Sequence, residues 1–196
     1  MHTIFSSRTV QKALTGSLSS PLAALVQSYV SAGHWRKLVV CFADKYVYYH
    51  EPYGGQLGSR HAIRQAFEDT LAALDDGWRF QCIPMQFQTD GSSCGVWDSV
   101  TDRAFIAYVD SPLFGMGSFG SFLRSWLEGQ GVTDLFAVRS SGAQRKPAIA
   151  ANLAFIQQER RHLRERLAAA ARDAKLSYTR TAPCSATLSL IRARRP

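Results

Sequence analysis

Hydrophobic positions along the chain alternate between strand-like and helix-like spacing. Ser20-Pro21 followed by PLAALVQSYV predicts a first helix, because serine suits the N-cap and proline the first helical turn. Lys37 to Phe42 and Tyr46 to Glu51 are β-rich runs joined by the short polar link Ala43-Asp44-Lys45, which predicts an antiparallel hairpin. Pro52 and the Gly54-Gly55 pair end its second strand. Ile63, Ala66, Phe67, Thr70, Leu71 and Leu74 recur at three- and four-residue steps, predicting a helix over Ser59 to Leu74. Arg79 to Phe87 reads as a third strand, with Pro84 marking an edge or bulge.

After the polar loop QTDGSSCGVW, the stripe Val96, Trp97, Val100, Ala104, Ala107 and Tyr108 predicts a helix that Asp110-Ser111-Pro112 stops. A shorter helix is expected around Phe122 to Leu127, beyond the Gly115 to Gly120 link. From Pro147 to about Lys175 a long helix is expected. Ile149, Leu153, Ile156, Arg160, Leu163, Leu167, Ala170 and Ala174 form a heptad-like seam in it, broken by one arginine. The chain after Tyr178 shows no periodicity and is expected to be a mobile tail. Strands and helices in this order give an α+β class.

The charge distribution divides the chain. Of 196 residues, 1–138 carry a net charge of −2 and 139–196 a net of +10. This predicts a main domain over 1–138 and an appended basic C-terminal helix and tail over 139–196. Such a basic segment suits a solvated helix or a nucleic-acid partner. No apolar run approaches the ~18 residues of a membrane helix, and no basic-then-apolar leader opens the chain. The four cysteines, Cys41, Cys82, Cys94 and Cys184, are scattered without a CxxC pair. That argues against a zinc site or disulfide framework and for a reducing, intracellular setting, cytoplasm or nucleus. No cofactor or metal is implied.

One cysteine stands apart. Cys94 sits among glycines and serines where a loop becomes a helix, a place that favours a thiolate. A buried structural cysteine prefers apolar neighbours, as Cys41 and Cys82 have on their strands. A thiol nucleophile needs an imidazole to take its proton and a group to orient that imidazole. Paired residues of an antiparallel hairpin sum to a constant, so His34 falls beside residues 51–53, within reach of Glu51. Gln88, six residues before Cys94, is placed to donate its amide to an oxyanion, with the Cys94 backbone N–H as second donor.

These residues carry a resemblance. His34-Trp35, Glu51-Pro52-Tyr53-Gly54, Gln88 and DGSSCGVW resemble the active-site blocks of ubiquitin-like-protein-specific (SUMO protease-like) and adenain-like cysteine proteases, in the same His, acid, Gln, Cys order. The likeness covers roughly residues 30–110. It implies a papain-like core with a short mixed or antiparallel sheet and a central helix starting at Cys94. His34 would then be the base, Glu51 its orienting acid, Cys94 the nucleophile and Gln88 the oxyanion donor. Trp35 would cover a narrow channel for a Gly-Gly substrate terminus, or else serve as a core aromatic.

The implied activity is a thiol protease acting after Gly-Gly of a ubiquitin-like protein or its conjugate, as in deSUMOylation. Relatives of the ubiquitin-like-specific branch carry a longer N-terminal lobe than the 33 residues before His34. In those relatives the lobe helps to bind the protein substrate, so the difference bears on substrate affinity. Two other readings stay open. One is an effector-type acyltransferase with the same triad. The other is a truncated, mobile-element-derived protein without catalysis that holds nucleic acid through 139–196.

Overall fold

A computed structural model describes residues 22–31, 33–54, 64–65, 68–69, 77–138, 142–174 and 188–192. Three consecutive antiparallel strands form its centre: β1 (Leu22–Ser31), β2 (His34–Cys41) and β3 (Tyr46–His50). β4 (Arg79–Ile83) joins β3 in parallel, and β5 (Leu188–Arg192) joins β1 antiparallel. The five-stranded order is β4-β3-β2-β1-β5, a mixed sheet in an α+β fold.

The hairpin forms with its turn at residues 42–45, in the register Lys37↔His50 through Cys41↔Tyr46. Asp44 in that turn accepts hydrogen bonds from Tyr48 Oη and, at 2.8 Å, from Tyr108 Oη, tying the turn to the main helix.

The expected first helix is instead β1. Its apolar run is buried on both faces, because Ala24, Leu25 and Val26 are all covered. A strand covered on both sides loses its alternation, and such a run cannot be told from a buried helix by periodicity alone. Pairing with β2 on one side and β5 on the other decides the outcome. The mobile tail expected after Tyr178 likewise supplies β5, whose partner lies more than 150 residues earlier in the chain. The helix expected over Ser59 to Leu74 lies largely outside the described residues. Within it, 64, 65, 68 and 69 are helical, with Arg64–Glu68 and Gln65–Asp69 bonded at four-residue spacing.

Three helices follow β4: α1 (Cys94–Val109), α2 (Phe119–Glu128) and α3 (Gly142–Ala174). One face of the sheet, with Ala24, Val26, Val39, Cys41 and Tyr48, meets Trp97, Val100, Ala104, Phe105 and Tyr108 of α1 in the core. Phe119 of α2 closes that core edge-on against Phe105, with ring centres 4.9 Å apart. The other sheet face carries Leu38, Val40, Val47 and Tyr49, also buried.

The first half of α3 packs into the same core. Phe155 stacks on Trp97, with centroids 5.7 Å apart, and Ile156 is buried. The buried Asn152 amide donates to the carbonyls of Phe87 and Thr133, and its oxygen accepts from Thr133 N. The seam of α3 leaves the body at its far end, where Leu167 is 69% exposed.

Candidate active site

Cys94 is the first residue of α1 and is buried to 7% exposure. The loop before it is built by Asp90. Its Oδ1 accepts from Ser92 N at 2.9 Å and Ser93 N at 2.7 Å, and its Oδ2 accepts from Ser93 Oγ. Aspartate bonding the backbone two and three residues ahead makes a self-contained turn. Ser93 therefore caps nothing with its own side chain. Its carbonyl takes the Val96 and Trp97 N–H groups instead. Burial works to raise the Asp90 carboxyl, but the bonds from Ser93 and Ser92, and the charge of Arg160, hold it below the usual carboxylate range.

Arg160 secures the loop from outside. Its Nη2 donates to Ser92 Oγ at 3.1 Å and to Ser93 Oγ at 2.9 Å. The lone arginine in the α3 seam thus faces the residues that lead into Cys94. Its interruption of an apolar stripe was the signal in the sequence, although the partner was not readable there.

His34 opens β2 and is half-buried. Continuing the hairpin register places it across from Tyr53, and its ring lies 5.3 Å from the Tyr53 ring. His34 Nδ1 is buried without a hydrogen-bond partner. The same register sets Glu51 across from Arg36, so His34 and Glu51 share one sheet face as diagonal neighbours. Arg36 Nη2 lies 3.4 Å from Glu51 Oε1, and both side chains are buried. Tyr49 Oη lies 3.5 Å from Glu51 Oε2. Arg36 was missed in the sequence, where a basic residue inside a strand signals a solvated edge rather than a buried partner.

Gln88 is 1% exposed, and its Nε2 donates to the Asp90 carbonyl. An amide nitrogen carries two hydrogens, so one donor remains. Phe87 N and Gln88 N both donate to the Pro52 carbonyl at 3.0 Å. The Gln88 segment is thereby joined to the segment that carries Glu51. Trp35 is half-buried and rests its indole over Gly95, where a Cβ would meet the ring at 3.4 Å. That contact joins the start of β2 to the start of α1.

Gly54 completes the neighbourhood. Its φ is +91°, a conformation that favours glycine, and a Cβ there would come within 2.6 Å of the Phe136 ring tip, which would have to move. Among the described residues, no group of three His, Cys, Asp or Glu side chains is arranged to hold a metal ion. No described helix is long and apolar enough to cross a membrane.

No protein-family model matches the chain, and no curated protein matches it. Among solved structures, it is similar to the Chlamydia trachomatis effector protein Cdu1 bound to ubiquitin, at 15% identity and a TM-score of 0.31. The match covers 64% of this chain and 55% of that one, so the chain spans about half the length of this neighbour.

Proposed function

We propose that the chain is a cysteine peptidase with a papain-like arrangement, cleaving after a Gly-Gly terminus of a ubiquitin-like protein. The observation that carries this reading is the Trp35–Gly95 contact, which sets the His34-Trp35 end of β2 against the Cys94 end of α1. Cys94 is the nucleophile. His34 Nδ1, buried and without a partner, takes the thiol proton. The Sγ–carbon bond forms as the carbonyl becomes an oxyanion. Gln88 Nε2 and the Cys94 backbone N–H stabilise that oxyanion, each donor typically contributing about 3 kcal/mol.

His34 then returns its proton to the leaving amine and the scissile C–N bond breaks. Water, deprotonated by the same imidazole, attacks the thioester and releases the carboxylate and the thiol. Glu51 orients the imidazole and balances its positive charge, while Arg36 fixes the carboxylate in place. The glycine at residue 95 and the indole above it suit a substrate terminus without side chains, since exclusion by shape gives specificity.

The test is hydrolysis of a fluorogenic substrate that carries Gly-Gly before the scissile amide. Turnover by the wild type, lost in Cys94→Ser, supports the peptidase. Acetyl-coenzyme A turnover without amide cleavage would instead assign an acyltransferase to the same residues.

A further inference from the structure

β2 carries two consecutive buried cations, Arg36 and Lys37, that face opposite sides of the sheet. Arg36 meets Glu51 on one side. On the other, Lys37 Nζ donates to Ser28 Oγ of β1 and to Asp98 Oδ2 at 2.9 Å, and forms an ion pair with Asp102 Oδ1 at 2.7 Å, both carboxylates coming from α1. The ammonium thus sits between two carboxylates and a hydroxyl. Asp98 lies four residues after Cys94 and Asp102 four further on, so one helix face presents both carboxylates. Burial pushes the Asp98 carboxyl up, with Lys37 opposing it. Across from Lys37 in register, His50 Nδ1 lies 3.2 Å from Thr101 Oγ1, which itself donates to the Trp97 carbonyl at 2.9 Å.

Between them Val39, Cys41 and Tyr48 meet Val100, Ala104 and Phe105 in apolar contact, and the other polar ties of α1 to the hairpin are Thr101 to His50 and, at the far end, Tyr108 to Asp44. Apolar contact is not directional and sets the axial position of a helix only loosely. A buried ion cluster is weak evidence for stability, and fixing register is among its best-attested uses. A slide of one residue moves a helix by about 1.5 Å, and a misplacement of that order costs about a hundredfold in rate at a reacting centre.

We propose that Lys37 is a positioning residue whose clamp on Asp98 and Asp102 fixes the axial position of α1 on β2, and so holds Cys94 in register with His34. This role rests on the peptidase reading only through the identity of the reacting pair.

The experiment measures iodoacetamide alkylation at Cys94 in the full chain, with thermal unfolding recorded in parallel. The clamp is replaced by apolar groups in Lys37→Met/Asp98→Leu/Asp102→Ala, which leaves no orphaned charge. The expected result is cooperative unfolding like the wild type, with Cys94 alkylation slowed at least about tenfold.

Should the triple variant fail to fold, Asp102→Asn serves. Asp102 is 36% exposed, so the fold tolerates this change, and a slowing of about threefold or more is expected. Alkylation at the wild-type rate in a folded triple variant, or in Asp102→Asn, overturns the proposal. A wild type that cleaves no Gly-Gly substrate, yet loses its alkylation rate when the clamp is removed, sinks the peptidase reading and supports the clamp.

Discussion

Arg36 Nη2 lies 3.4 Å from Glu51 Oε1, with the two side chains 1% and 3% exposed. A buried carboxylate that loses its cation keeps the cost of desolvation without the compensating attraction. Arg36→Met is therefore expected to cost about 3–5 kcal/mol, read as a lower urea midpoint. Arg36→Met/Glu51→Leu removes both charges and is expected to recover most of that loss. A double variant no better than the single would show that the two side chains are not coupled.

The thiols separate by environment. Burial, then the charge of Asp44, pushes Cys41 up to about 12, and its side chain is fully covered. At pH 8 about one Cys41 in ten thousand is a thiolate. Brief treatment of native protein with iodoacetamide is expected to modify Cys94 and leave Cys41 unmodified until denaturant is added. Peptide mapping by mass spectrometry checks this, and early label at Cys41 would contradict it.

His50 links pH to stability. Burial, then the neighbouring Lys37, lowers it to about 3, whereas an unfolded imidazole titrates near 6.5. Between those values the unfolded chain holds the extra proton. Stability is full above about pH 6.5 and falls as pH drops toward 3, by at most about 1.4 kcal/mol per pH unit from this group. Between about pH 5 and pH 6.5 few carboxylates titrate, so the effect is separable there. Urea midpoints across that window are expected to fall with acid in the wild type and less steeply in His50→Gln. Parallel slopes would exclude His50 as the cause.

The loop before Cys94 depends on one carboxylate. Asp90→Ala removes the acceptor for Ser92 N, Ser93 N and Ser93 Oγ. The expected cost is about 1–2 kcal/mol, comparable to losing a helix cap, together with slower Cys94 alkylation. Arg160→Met is expected to slow alkylation with a smaller loss of stability, since Ser92 is exposed. Unchanged alkylation in both would show that the loop's order does not matter to the thiol.

The sequence made some of this visible and hid the rest for physical reasons. The hairpin was legible because its two β-rich runs flank a polar turn, and both ends of α1 were legible from a glycine-serine loop and from Asp110-Ser111-Pro112. β1 was not, since burial on both faces erased its period. β5 pairs with a strand at the far end of the chain, and no local pattern announces such a partner. Of the candidate site, His34, Trp35, Glu51, Gln88 and Cys94 stood out by residue type and order. Arg36 and Lys37 did not, because each acts through a partner that only folding brings near. Lys37 and Asp98, for example, are 61 positions apart. Arg160 showed only as a break in the apolar seam of α3, and Asp90 was passed over although its partners, Ser92 and Ser93, are local.

The central claim is that Cys94 attacks the carbonyl of a Gly-Gly terminus with His34 as base. The most direct measurement is covalent capture by ubiquitin and ubiquitin-like proteins that end in Gly-Gly carrying an electrophile, mapped by mass spectrometry. The account predicts an adduct of at least one such probe on Cys94, absent in Cys94→Ser and slowed at least about a hundredfold in folded His34→Ala. An adduct on another cysteine, or equal labelling of His34→Ala, would contradict it, as would a folded wild type that no probe modifies.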